Sequence, residues 1–217
     1  MKISLLLLSL LLIAPAYAAD CPTAATLFSE SQQQGLSLSA VESKLREVLE
    51  KCPDLAEGHF QLGNTLLKSG KAAEARKSFD RAIALKRDAL FLVALGNSYI
   101  ELKDEGAAEA AFEDALKADS NNSKAMQAMS VLSFRQGKKT RAEDLLRKAI
   151  QVNPEEASLF YNLGIVLADS GRNEEAIESF RAASERRSPY PEALIQLGSA
   201  YLRLAQYEQA EKAFRTA

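Results

Sequence analysis

From residue 56 onward, apolar positions recur three and four residues apart, which is helical spacing, and the apolar runs come in pairs separated by short polar turns. Leu62, Gly63 and Leu66 line one face of a first helix; Gly70 breaks it; Ala75, Phe79 and Ala82 line one face of a second. The same order then returns. Leu-Gly stands at Leu62-Gly63, Leu95-Gly96, Leu163-Gly164 and Leu197-Gly198, and each glycine is followed by an alanine and a phenylalanine at fixed offsets: Ala75 and Phe79, Ala108 and Phe112, Ala176 and Phe180, Ala210 and Phe214. The copy between the second and third of these falls at Met129-Ser130, with Ala142 and Leu146 in the later slots. Neither helix of a pair can bury its apolar face alone, so the pairs must stack. A helical period of this length predicts a solenoid of helix pairs, an architecture that offers an extended binding surface rather than a catalytic pocket.

The spacing has a physical basis. A glycine on the first helix lets the second come close, small residues at Ala75 and Ala82 permit a tight crossing, and Phe79 fills the space between units. The third unit departs most, with Met126, Met129 and Ser130 in its first-helix slots, so its neighbour contacts are expected to be looser.

This order of slots resembles the tetratricopeptide repeat family, whose pattern runs from a large residue through Leu-Gly and Tyr to Ala, Phe, Ala and Pro. Divided on that pattern, the chain gives units at 56–88, 89–122, 123–156 and 157–190, with an incomplete fifth at 191–217. The final small slot holds Ala82, Ala115, Ala149, Ala183 and Ala217; the Tyr slot is met by Tyr99 and Tyr201, and the Pro slot by Pro154. Residues 19–55 read as a degenerate N-terminal hairpin, with Phe28, Val41 and Leu45 in the Leu, Ala and Phe slots. The resemblance implies an all-α fold: a right-handed superhelical solenoid of antiparallel helix pairs.

It also implies that the first helix of each unit lines a concave face able to seat an extended peptide or an amphipathic helix. The slots mapped there are Phe60, Asn64 and Lys68; Leu90, Val93 and Asn97; Lys124, Gln127, Val131, Phe134 and Arg135; and Tyr161 and Ile165, with Ile195, Ser199, Leu202 and Arg203 continuing the strip. Part of this apolar area is spent between neighbouring first helices. A subset of the family clamps a peptide's terminal carboxylate with a set of Lys, Asn and Arg residues. Asn64 and Lys124 fit that pattern, but Phe60, Ala94 and Ala128 replace the rest, so the clamp is not expected.

The N-terminus reads as an export signal over residues 1–18. Lys2 supplies a positive start, Ile3 to Ile13 is apolar but for Ser4 and Ser9, and Ala16-Tyr17-Ala18 is a cleavage site. The run is short of the roughly 20 apolar residues that span a bilayer, and no second such stretch exists, so a secreted or periplasmic protein without a transmembrane segment is expected. Asp20 before Cys21 disfavours lipidation there. Charge is nearly balanced, at a net −2, which lacks the basic footprint of nucleic-acid binding.

The chain has two cysteines, Cys21 and Cys52. In an antiparallel first hairpin they fall at facing ends, and in an oxidising compartment a disulfide between them is the expected state. A bond closing such a loop contributes about 2–4 kcal/mol. Two thiols with no histidine nearby do not make a metal site.

No catalytic constellation is present. His59, the one histidine, sits in a large-residue slot and reads as packing. There is no phosphate-binding glycine loop, no zinc-binding helix motif and no calcium loop. Asp54 with Glu57, and Asn153-Pro154 with Glu156, read as helix-capping sets. Asn121-Asn122-Ser123, formally a glycosylation acceptor, reads as loop chemistry.

The last unit stops in its small slot, where Leu197, Tyr201, Phe214 and Ala217 would face an absent neighbour, so a longer chain, a partner or self-association is expected to cover that end. The expected function is an exported scaffold that binds a protein or peptide through its concave face, with no cofactor, metal or catalysis. A docking segment of a larger envelope enzyme or complex, and a self-assembling module, remain as alternatives.

Overall fold

The computed structural model describes Ser29 and residues 35–217. The expected export segment, Phe28 and Cys21 lie outside the described residues. Helix α1 spans Leu38–Lys51 and packs on the helix that follows it. Five hairpins follow: α2 (Ala56–Lys68) with α3 (Ala72–Leu85), α4 (Ala89–Glu101) with α5 (Glu105–Ala118), α6 (Ser123–Arg135) with α7 (Lys139–Val152), α8 (Ala157–Asp169) with α9 (Asn173–Arg186), and α10 (Pro191–Arg203) with α11 (Tyr207–Thr216). Each helix packs chiefly on its hairpin partner and on the next helix in sequence. The first helices also touch the first helix of the following unit, so α2, α4, α6, α8 and α10 form a continuous inner layer.

All five first helices end alike. Beyond Lys68, the N–H of Lys71 donates to the carbonyl of Leu66 (2.9 Å) and that of Gly70 to Leu67 (3.0 Å), a Schellman pair that closes the helix. This needs a left-handed residue, and Gly70, Gly137 and Gly171 supply it at φ near +75° to +79°. Lys103 and Ala205 occupy the same place at φ 61° and 56°, which costs a residue with a Cβ more. Starts are less uniform. Asp88, Asp104 and Asn122 cap α4, α5 and α6 through their side chains.

The expected capping set before α2 takes a different form. The cap position is Leu55, with no side-chain bond, and the acids pair across the hairpin instead: Asp54 with Arg81 at 2.6 Å and Glu57 with Lys86 at 3.0 Å. The imidazole Nε2 of half-buried His59 lies 2.8 Å from the Pro53 carbonyl, which ties down the same turn. Before α8, Glu156 itself is the cap, while Asn153 ends α7.

The core is a chain of overlapping clusters between the two layers. Phe79, Phe112 and Phe180 are buried at 0–1% exposure, and the alanine slots on either side of each ring are closed. Phe214 in the last unit is 41% exposed, and Leu202 and Tyr207 beside it are exposed too. Leu197, expected to face an absent neighbour, is instead buried, because Phe180, Ile177 and Ala213 close around it. Tyr201 is half-buried, and its hydroxyl accepts from Arg181 at 2.9 Å.

On the outer layer, charge clusters tie successive second helices. Glu42 bonds Arg46 and Lys71, and Glu143 bonds Arg147 and Arg172 in the same arrangement three units later. Among the described residues, no helix is long and apolar enough to cross a membrane, and no group of His, Cys, Asp and Glu is placed to hold a metal ion.

Candidate functional site

The inner layer holds one contiguous depression of about 500 Å³ where α4, α6 and α8 meet. Val93 and Asn97 from α4, Lys124, Gln127, Val131 and Arg135 from α6, and Ser158 and Asn162 from α8 line it. Its floor is aliphatic, with Ile100, Leu132 and Leu159, and its rim carries amides, the cations Lys124 and Arg135, and the carboxylate of Glu156. A second hollow of about 260 Å³ adjoins it, sharing Val131 and Asn162, and is lined also by Phe134, Tyr161 and Ile165. The structure thus brings together Val93, Asn97, Lys124, Gln127, Val131, Phe134, Arg135, Tyr161 and Ile165 from the sequence-derived strip.

The remaining members of that strip lie apart. Phe60 is buried at 9% exposure, because its ring stacks on Phe91 at 4.6 Å and tilts against Phe79 at 6.0 Å; it belongs to the core. Asn64 is half-buried, Lys68 and Leu90 are exposed, and all three lie outside both hollows.

Several groups are held in place. The Gln127 amide donates to the Ser158 hydroxyl at 2.8 Å, and that hydroxyl in turn bonds the Glu156 carboxylate at 2.8 Å. This chain of bonds crosses from α6 to α8 and fixes the amide at the rim. Arg135 leans on Glu105 at 3.5 Å. Lys124 is exposed and makes no ion pair among the described residues. The Tyr161 ring rests on Phe180 at 6.0 Å and on Tyr190 at 5.5 Å, so it is a rigid wall. Burial pushes the phenol of Tyr190 above its ordinary range.

Sequence reasoning missed Ser158 and Asn162. Asn162 stands two residues before Gly164, in a slot that other units fill with Gln61, Ala94, Ala128 and Gln196, so its residue type alone gave no signal. Such a face can grip a backbone through its amides and a side chain through its aliphatic floor.

Comparison with known proteins follows the same lines. The tetratricopeptide repeat pattern matches residues 60–123 and 131–191, and a second form of it matches 167–217. The human protein O-mannosyl-transferase TMTC3 is 25% identical over 173 residues, covering 77% of this chain; the chain spans 19% of that relative's length. The solved structure of pilF from Pseudomonas aeruginosa superposes at a TM-score of 0.77 with 17% identity, covering 91% of this chain and 90% of that one. YrrB, described as a TPR protein with an unusual peptide-binding site, superposes at 0.61 with 20% identity over 82% of this chain and 90% of its own. With the repeat pattern matched along most of its length and the hairpin solenoid to go with it, the chain belongs to the tetratricopeptide repeat family.

Proposed function

We propose that this protein is an exported scaffold that binds an extended segment of another protein along the concave surface of α4, α6 and α8, with no catalysis of its own. The observation that carries the reading is a depression where amides, cations and an aliphatic floor from three successive units converge. The peptide-binding site named for YrrB adds support by analogy of fold. Export rests on Lys2, the apolar run Ile3–Ile13 and Ala16-Tyr17-Ala18. The Cys21–Cys52 bond belongs to the same reading, and buried Cys52 at the end of α1 suits it.

Capture from an envelope extract tests the binding face. Phe134→Glu abolishes partner capture while leaving helicity unchanged, and Glu113→Lys on the outer layer leaves capture intact. The opposite pattern places the partner on the convex face. Intact-mass measurement after alkylation without reductant tests the bond: two alkylated thiols contradict it.

A second reading is favoured by one observation. The match to TMTC3 covers only a fifth of a much larger transferase, so this array is also suited to be the docking segment of a larger protein. A separate alternative is self-association through Leu202, Tyr207 and Phe214, and light scattering across a concentration series detects that directly.

A further inference from the structure

The second hollow borders the unit that departs from the repeat. In the first and fourth units the phenylalanine ring stands so close over the glycine that a Cβ there would meet it at 2.5 Å, at Gly63 with Phe79 and at Gly164 with Phe180. In the third unit the pair is Ser130 with Leu146, both buried at 1%. The side chain that replaces the ring is shorter and has no aromatic face. Ser130 and Leu146 form the inner wall of a hollow of about 260 Å³ that opens on the concave surface between the rings of Phe134 and Tyr161. An apolar cavity of about 150 Å³ admits a benzene molecule, so this one has room for an aromatic side chain. Rigid apolar pockets that receive one large side chain are where binding energy concentrates.

Charge narrows the choice of partner. Helix α6 carries Lys124 and Arg135 and no acidic residue between its ends, and the one acidic residue lining the adjoining depression, Glu156, already accepts from the Ser158 hydroxyl. Lys124 is exposed, without an ion pair, on the rim of the adjoining depression. Along the helix it lies about 10–13 Å from the hollow, which an extended chain covers in about three to four residues.

We propose that the concave face takes an extended acidic segment whose one aromatic side chain enters the hollow beside the Ser130–Leu146 pair and whose carboxylate, three to four residues away, meets Lys124. This rests on the concave-face reading above and adds the chemical class of its partner.

The test is a phage-displayed random peptide library selected against the full chain, with the enriched peptides then measured on four variants. Ser130→Gly with Leu146→Phe restores the pattern of the other units and fills the hollow. Ile165→Trp narrows it from the rim should the double variant lose helicity. Lys124→Glu reverses the charge, and Val131→Arg blocks both hollows. The expected result is an aromatic residue paired with an acidic one at that spacing. Affinity should be about tenfold or more weaker in the filled, narrowed and charge-reversed forms. Peptides that are lost on Val131→Arg yet tolerate the filled hollow, or that are basic, overturn this inference and leave the concave reading standing. Peptides indifferent to Val131→Arg, or no enrichment at all, overturn both.

Discussion

Gly164 and Phe180 are fitted to one another across the α8–α9 hairpin: a Cβ on the glycine would stand 2.5 Å from the ring, and the ring itself is fully buried. Gly164→Ala therefore forces a packed aromatic to move, at a cost of about 1–3 kcal/mol. The gain in helix propensity, about 1 kcal/mol, offsets only part of it. At Gly198 the same contact is made with Phe214, but that ring is 41% exposed and free to turn outward. Gly198→Ala is then close to neutral. Urea midpoints of the two variants check this, and equal losses contradict it.

The rings themselves give a parallel test. Phe112→Ala empties a site that is 1% exposed between two complete units and should cost about 3–5 kcal/mol. Phe214→Ala removes a ring that solvent already reaches, and should cost clearly less. Denaturant titration of both proteins compares them on one scale.

Helix ends offer a stabilising change. Lys103 holds the left-handed place that Gly70, Gly137 and Gly171 fill elsewhere. Lys103→Gly removes strain of about 1–2 kcal/mol against a backbone entropy cost of about 0.5–1 kcal/mol. A small rise in thermal midpoint is expected, and Gly137→Ala should lower it. A fall for the first variant contradicts the account.

Acid should loosen the outer layer. Burial pushes the Glu143 carboxyl up, but hydrogen bonds from Arg147 and Arg172 outweigh it and hold the group below its ordinary value of 4.5. Lys71 and Arg46 do the same for Glu42, and Arg141 for Glu109. A carboxyl depressed in the folded state contributes stability that is fully present above the unfolded value and lost as pH falls through the folded one. Stability should therefore hold from neutrality down to about pH 5 and decline below it. Glu143→Gln should be less stable than the parent at neutral pH, and the gap should close near pH 3. A gap of unchanged size at both pH values contradicts the assignment.

Most of the fold was legible because the repeat is a packing rule written in residue types. Glycine, alanine and phenylalanine recur at fixed offsets since only those shapes fit where two helices cross, and Gly164 with Phe180 shows the constraint directly. The centre of the binding strip was legible for the same reason, through Asn97, Gln127, Val131 and Phe134. Phe60 was misplaced because its slot borders another aromatic, Phe91, and two facing rings bury each other. Asp54 and Glu57 were misread because a capping pattern says nothing of the basic residues, Arg81 and Lys86, that the hairpin brings within reach. The Ser130–Leu146 departure was visible in sequence, but the hollow beside it is a volume, and volumes come only from packed coordinates.

The most direct test of the concave-face account is site-specific photo-crosslinking in cells of the source organism. A benzophenone side chain is placed singly at Asn97, Val131 and Ile165 on the inner layer, and at Glu113 and Glu185 on the outer. The account predicts one shared crosslinked partner from the three inner positions and none from the outer two. Crosslinks from Glu113 and Glu185, with silence at Val131, would contradict it.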